Sequence, residues 1–109
     1  MPEPYDPQTA VAKIREILFN DGYLKVRDHC YIQMDKRTID DVDIRLVLEE
    51  NGVIYSKPDW DEKHQKHKYK VDGYDTEGEK IRIVVNIIEE NWRVVAITAI
   101  AKDWKEIKK

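Results

Sequence analysis

Apart from one short alternating stretch at residues 23 to 27, the hydrophobic period of this chain changes from 3.6 residues to 2 close to Asn51-Gly52. Before that point apolar residues recur as single stripes, the mark of helices packed on one side. After it they alternate, the mark of strands with two faces. Helices followed by strands, rather than the two interleaved, predict an α+β fold in which a helical layer covers an antiparallel sheet.

The first half divides into three helices. Asp6 and Pro7 form a start signal, with Pro7 in the first turn, where its missing N–H costs nothing. Val11, Ile14, Ile17 and Leu18 follow at helical spacing, and Asn20-Asp21-Gly22 ends the run. Residues 23 to 27, YLKVR, alternate and predict a short strand. Asp28 is the expected cap of a second helix over residues 29 to 36, with Cys30 and Met34 on one face and His29, Gln33 and Arg37 on the next stripe. A third helix starts at Asp40, with Asp43 three residues on and Ile39 and Ile44 spaced as a hydrophobic staple.

The second half predicts strands at residues 53 to 56, around His67, Tyr69 and Val71, and over KIRIVVNII and WRVVAITAIA, with KPDWDEKHQKH as a polar loop. Ile81, Ile83, Val85 and Ile87 share one face of their strand, while Arg82 and Asn86 are polar exceptions on the other. The expectation is N-terminal helices packed on a mainly antiparallel sheet of four or five strands, as one domain over residues 1–109. Within it, residues 1–22 extend a core of 23–101, and 102–109 form a charged tail.

Composition narrows the classes. One cysteine, Cys30, excludes an intrachain disulfide and cysteine-rich zinc sites. The start, MPEPYDPQ, has no basic leader or apolar core, and no apolar run reaches the roughly 20 residues that span a bilayer, so a cytoplasmic protein without membrane contact is expected. A net charge of -3 gives no bulk attraction to nucleic acid, which leaves only a local basic site for such a partner. The four glycines stand singly and build no phosphate loop. His64 and His67 with Asp59 and Asp61 fit no metal spacing, and neither metal nor cofactor is expected.

The run VRDHCYIQMDKRTIDDVDIRLVLEENGVIY, then KYKVDGYDTEGEKIRIVVNI and RVVAITA, resembles the bacterial family called domain of unknown function 4258. Its pattern reads H-A-x-x-R-M-x-x-R-G-I-S, then a helix, G-x-I and a strand-rich half. His29, Met34, Arg37, Ile39, Gly52, Gly73, Gly78 and Thr98 stand at its characteristic positions, whereas Gln33 replaces an arginine and Thr38 a glycine. The loss of the arginine removes a cation from any phosphate site. The family is similar in layout to the RelE/ParE toxins, many of which cut messenger RNA without metal. The resemblance therefore implies a RelE-like endoribonuclease of a toxin–antitoxin system, with RNA as substrate and an antitoxin-like protein as partner.

Metal-free RNA cleavage needs a base for the 2′-OH, an acid for the 5′-oxygen and cations for the phosphorus oxygens. His29, near the positive end of a helix, suits a neutral base. Arg37 and Arg82 can bind phosphate as forks, and His67, Lys68 or Tyr69 can act near the leaving group. KHQKHKYK, with Lys68 and Lys70, and the terminal KDWKEIKK, with Lys102 and Trp104, predict a cationic patch, with Tyr69 or Trp104 stacking bases. Each has a plainer reading: His29 and Arg37 as helix-packing groups, Arg82 as a sheet-surface residue, and the lysines as a solvated strand edge. The alternative function is a non-catalytic protein-binding module of the same fold, forming a homodimer or pairing with a partner.

Overall fold

The computed structural model describes residues 3–101; Lys102, Trp104 and the rest of the charged tail lie outside the described residues. Helix α1 (Pro7–Phe19) opens on Pro7 as expected, though the Asp6 carboxylate makes no capping hydrogen bond, and Ala10, Ile14, Ile17 and Leu18 form its buried side. Strand β1 (Tyr23–Val26) follows. Helix α2 (Asp28–Arg37) starts one residue ahead of the expected range, with Arg27 rather than Asp28 at the cap position, and buries Cys30 and Met34. Burial pushes the Cys30 thiol up to about 11.

Helix α2 ends at Thr38, which adopts the left-handed conformation with φ 52°. A β-branched residue is strained there, and glycine is not. The family pattern this stretch resembles carries glycine at that position, so the departure at Thr38 has a backbone cost. Thr38→Gly is expected to raise the unfolding free energy by about 1 kcal/mol, net of the extra entropy glycine brings to the unfolded chain. A higher urea midpoint at unchanged slope is the measurement.

Helix α3 (Asp41–Leu46) is fixed by a full capping box: Asp40 accepts from the Asp43 N–H, and Asp43 accepts from the Asp40 N–H, each at 3.0 Å. Ile39 and Ile44, the staple pair, are both buried. The helix runs on into one wide π turn over Val47–Asn51, which ends at Gly52.

Four more strands complete the sheet: β2 (Asp59–Asp61), β3 (Lys66–Tyr74), β4 (Lys80–Ile88) and β5 (Arg93–Ala101). Their order is β1-β5-β4-β3-β2. All neighbours are antiparallel except β1 and β5, which run parallel, so the sheet is five-stranded and mixed. Parallel pairing is open to β1 because residues 27–92, more than half of the chain, form the connection that separates it from β5.

Two expectations in this half are corrected. Residues 53 to 56 form no strand: Val53 makes a single bridge to Asp72, with hydrogen bonds of 2.8 and 2.9 Å. Asn51 has already engaged that end of β3, its amide bonding both the N–H and the C=O of Tyr74. Gly73 makes room for this, since a Cβ there would stand 2.2 Å from Asn51 Oδ1. The polar loop, in turn, contains β2, which pairs with β3 from Asp59 opposite Lys68 to Asp61 opposite Lys66. Alternation is hard to see in three residues with two aspartates among them.

The faces of the sheet follow the predicted alternation. Tyr69 and Val71 of β3, Ile81, Ile83, Val85 and Ile87 of β4, and Val94, Ala96 and Ala99 of β5 join Ile14, Ile17, Ile44 and Leu48 in one core under the helices. The opposite face carries Lys70, Val84 and Thr98 as one row across three strands, and Asp72, Arg82 and Ile100 as the next. A bulge at Ile97, which falls between the pairs Val84–Thr98 and Val85–Ala96, keeps the core face in phase on both sides of it. Among the described residues, no helix is long and apolar enough to cross a membrane.

Candidate functional site

Strand β1 ends opposite Ala96, and the chain turns there, with the Arg27 N–H bonded to the Ala96 carbonyl at 3.0 Å. Helix α2 then runs beside the part of β5 that β1 no longer pairs. That leaves the β5 backbone edge to be satisfied by a side chain, and Gln33 does it: its Oε1 accepts from the Ala99 N–H at 3.2 Å. An arginine has no acceptor to offer, so the glutamine is a structural choice here. Gln33→Arg is expected to cost about 1–3 kcal/mol, the penalty for leaving a buried N–H unpaired, measured by urea unfolding.

This course brings the start of α2 to one side of a cavity of about 550 Å³ on the sheet face opposite the helices. The size is that of sites which hold small ligands. Its floor is the row Lys70, Val84 and Thr98. Arg27, Asp28 and His29 form one wall, and Asp61, Lys63 and His64, from β2 and the turn after it, form the other, with Lys68 beside them. Four cationic side chains thus face two carboxylates and two imidazoles. Arg27 has its Nε buried without a hydrogen-bond partner among the described residues.

The far wall is well braced. Asp61 is buried, and its two oxygens accept from the His64 ring at 2.7 Å, through Nδ1, and from the His64 backbone N–H at 3.3 Å. Burial opposes charge on this carboxyl, but the hydrogen bonds from His64, with the nearby charges of His64 and Lys68, outweigh it and hold its pKa below the usual range. Gln65 closes the turn with φ 55° and donates to the Glu62 carbonyl at 2.8 Å, while Trp60 Nε1 donates to the Glu62 carboxylate at 3.1 Å.

Of the residues singled out in the sequence, His29, Lys68 and Lys70 meet at this cavity. Arg37 does not, because it lies eight residues beyond His29, or about 12 Å along the axis of α2. It borders a separate recess with Asp40, Asp43, Asp75, Glu77 and Glu79. Arg82 is held by Asp72 as a fork, at 2.6 and 3.0 Å, one row away from the cavity floor. Tyr69 is fully buried on the helix side: its hydroxyl donates to Glu3 at 3.1 Å and accepts from the Tyr5 N–H at 3.0 Å, so it is closed to bases and to a leaving group. His67 shares that side, with Nδ1 3.9 Å from Glu3 and the Trp60 ring meeting it edge-on at 5.1 Å. Asn86, the other polar exception, is buried and donates to the His67 carbonyl at 2.9 Å.

Two residues at the cavity were missed, and a third is set aside. Arg27 reads as the end of a strand and Lys63 as a member of a solvated loop, while His64 is weighed with Asp61 only as a metal ligand and otherwise belongs to that loop. The one available signal for His64 was Asp61 three residues before it, a spacing that a tight turn converts into a contact.

A protein-family model described as "Domain of unknown function (DUF4258)" matches residues 26–100. The match takes in every residue of the cavity and leaves α1 outside. No curated protein and no solved structure matches the chain.

Proposed function

The chain belongs to this family of unknown function, and from that premise we propose that it is a toxin-type endoribonuclease of RelE-like layout that cuts RNA without a metal ion. The observation that carries the reading is the meeting of His29 with Arg27, Lys63, Lys68 and Lys70 around one cavity. A cationic wall of this kind holds a phosphodiester and the charge that grows on its oxygens during cleavage. His29, exposed in the first turn of α2, is the base that takes the 2′-OH proton. The freed 2′-oxygen attacks phosphorus, giving a 2′,3′-cyclic phosphate and a 5′-hydroxyl. An antitoxin-like protein laid over the same sheet face would block substrate entry.

Purified protein incubated with RNA in the presence of a chelator tests this directly. Fragments ending in cyclic phosphate are the expected result, and RNA left intact overturns the reading. A second reading, a non-catalytic module that binds an acidic protein segment, is favoured by one observation: Arg37, Tyr69 and Arg82 all lie outside the cavity. Intact RNA together with a partner that binds the wild type and not a Lys63→Ala, Lys68→Ala double variant would favour it.

A further inference from the structure

Cleavage as described leaves one step without a group, the protonation of the 5′-oxygen as its bond to phosphorus breaks. The cavity holds a second imidazole, and it is not loosely placed. A single buried carboxylate, Asp61, grips both the ring and the backbone of His64, at 2.7 and 3.3 Å. With Asp61 ionised, the proton on Nδ1 is fixed between ring and carboxylate, so Nε2 is the nitrogen left to exchange protons. The same turn is stiffened by the Gln65 and Trp60 hydrogen bonds to Glu62. His64 looks onto a wall shared with Lys63 of its own turn, Lys68 and Lys70 of β3, and Arg27 and Asp28 of the facing chain.

We propose that His64, oriented by Asp61, is the second proton-transferring group of this cavity and the acid that serves the departing 5′-oxygen of RNA. The inference rests on the ribonuclease reading above. His29 takes the 2′-OH proton, and O2′ forms a bond to phosphorus. The P–O5′ bond breaks with its electron pair going to O5′, which takes the proton from His64 Nε2. His29 then releases its proton to water and His64 gains one from water, which restores both. Asp61 is a positioning residue, acting only through His64.

RNA whose bridging 5′-oxygen is replaced by sulfur separates this role from a structural one, because a thiolate leaves without needing a proton. With a chelator present, His64→Ala is expected to lose at least about 100-fold on ordinary RNA and to cleave the sulfur-bridged RNA at close to the wild-type rate. Asp61→Asn should follow the same pattern more weakly, whereas His29→Ala should be slow on both substrates. Recovery on the sulfur-bridged RNA also establishes that the variant is folded. Equal losses for His64→Ala on both substrates would mean that His64 binds or braces and would overturn the assignment, as would full activity on ordinary RNA, with the ribonuclease reading intact in either case. Wild-type protein that cleaves neither substrate defeats that reading and this inference together.

Discussion

His29→Ala is expected to lower chelator-resistant RNA cleavage by about 10²- to 10⁴-fold, the range that general base catalysis supplies, while Arg37→Ala leaves the rate unchanged. The two residues sit on one stripe of the sequence, eight apart, and a reading by stripe treats them as partners. The helix separates them: α2 carries His29 into the cavity with its first turn and Arg37 out of it with its last. His29 is exposed, so its loss opens no hole in the core and should leave thermal unfolding unaltered. Single-turnover rates with saturating protein are the measurement, since they exclude product release. If Arg37→Ala were as slow as His29→Ala, the catalytic site would have to lie along the length of α2, and the cavity would lose its claim.

The fold was readable wherever a period ran long enough to be seen. The stripe of α1, the start of α3 at Asp40 with its Ile39–Ile44 staple, and the strands β3 to β5 all came from local rules, because each is decided by residues close in sequence. The site was harder, since its walls come from segments more than thirty residues apart. Tyr69 illustrates the loss. Parity along β3 places it with Val71 on the core side, yet the lysines around it suggest a surface group. The alternation that located the strand contained the answer, and the functional expectation overrode it. His64 shows the converse, because one carboxylate three residues away turns a polar loop residue into a fixed one. Gln33 and Thr38 were legible only as departures from a pattern, and the backbone explains both: one supplies an acceptor, and the other occupies a left-handed residue.

Asp43→Ala is expected to cost on the order of 3 kcal/mol in unfolding free energy, because two charge-assisted hydrogen bonds and part of a helix cap go together. Asp43 is almost fully buried, at 4% exposure. One oxygen accepts from the Asp40 N–H at 3.0 Å and the other from the Thr76 N–H at 2.9 Å, so a single carboxylate ties the start of α3 to the turn between β3 and β4. Asp40 offers the contrast. Asp40→Asn keeps an oxygen for the Asp43 N–H, and asparagine caps helices as well as aspartate, so that change should fall within about 0.5 kcal/mol. Acid should unmask the same bond. Burial raises the cost of charge on Asp43, but hydrogen bonds from Thr76 and Asp40 outweigh it and hold its pKa below the usual 3.8. A depressed folded-state pKa means the contribution is complete above the unfolded value and is lost as pH falls through the folded one. Wild type should therefore lose stability below about pH 4 more steeply than Asp43→Ala does, and the gap between their urea midpoints should narrow on acidification. A gap that stayed constant from neutral pH to pH 2 would mean that the carboxylate's charge is irrelevant and that only its shape fills the site.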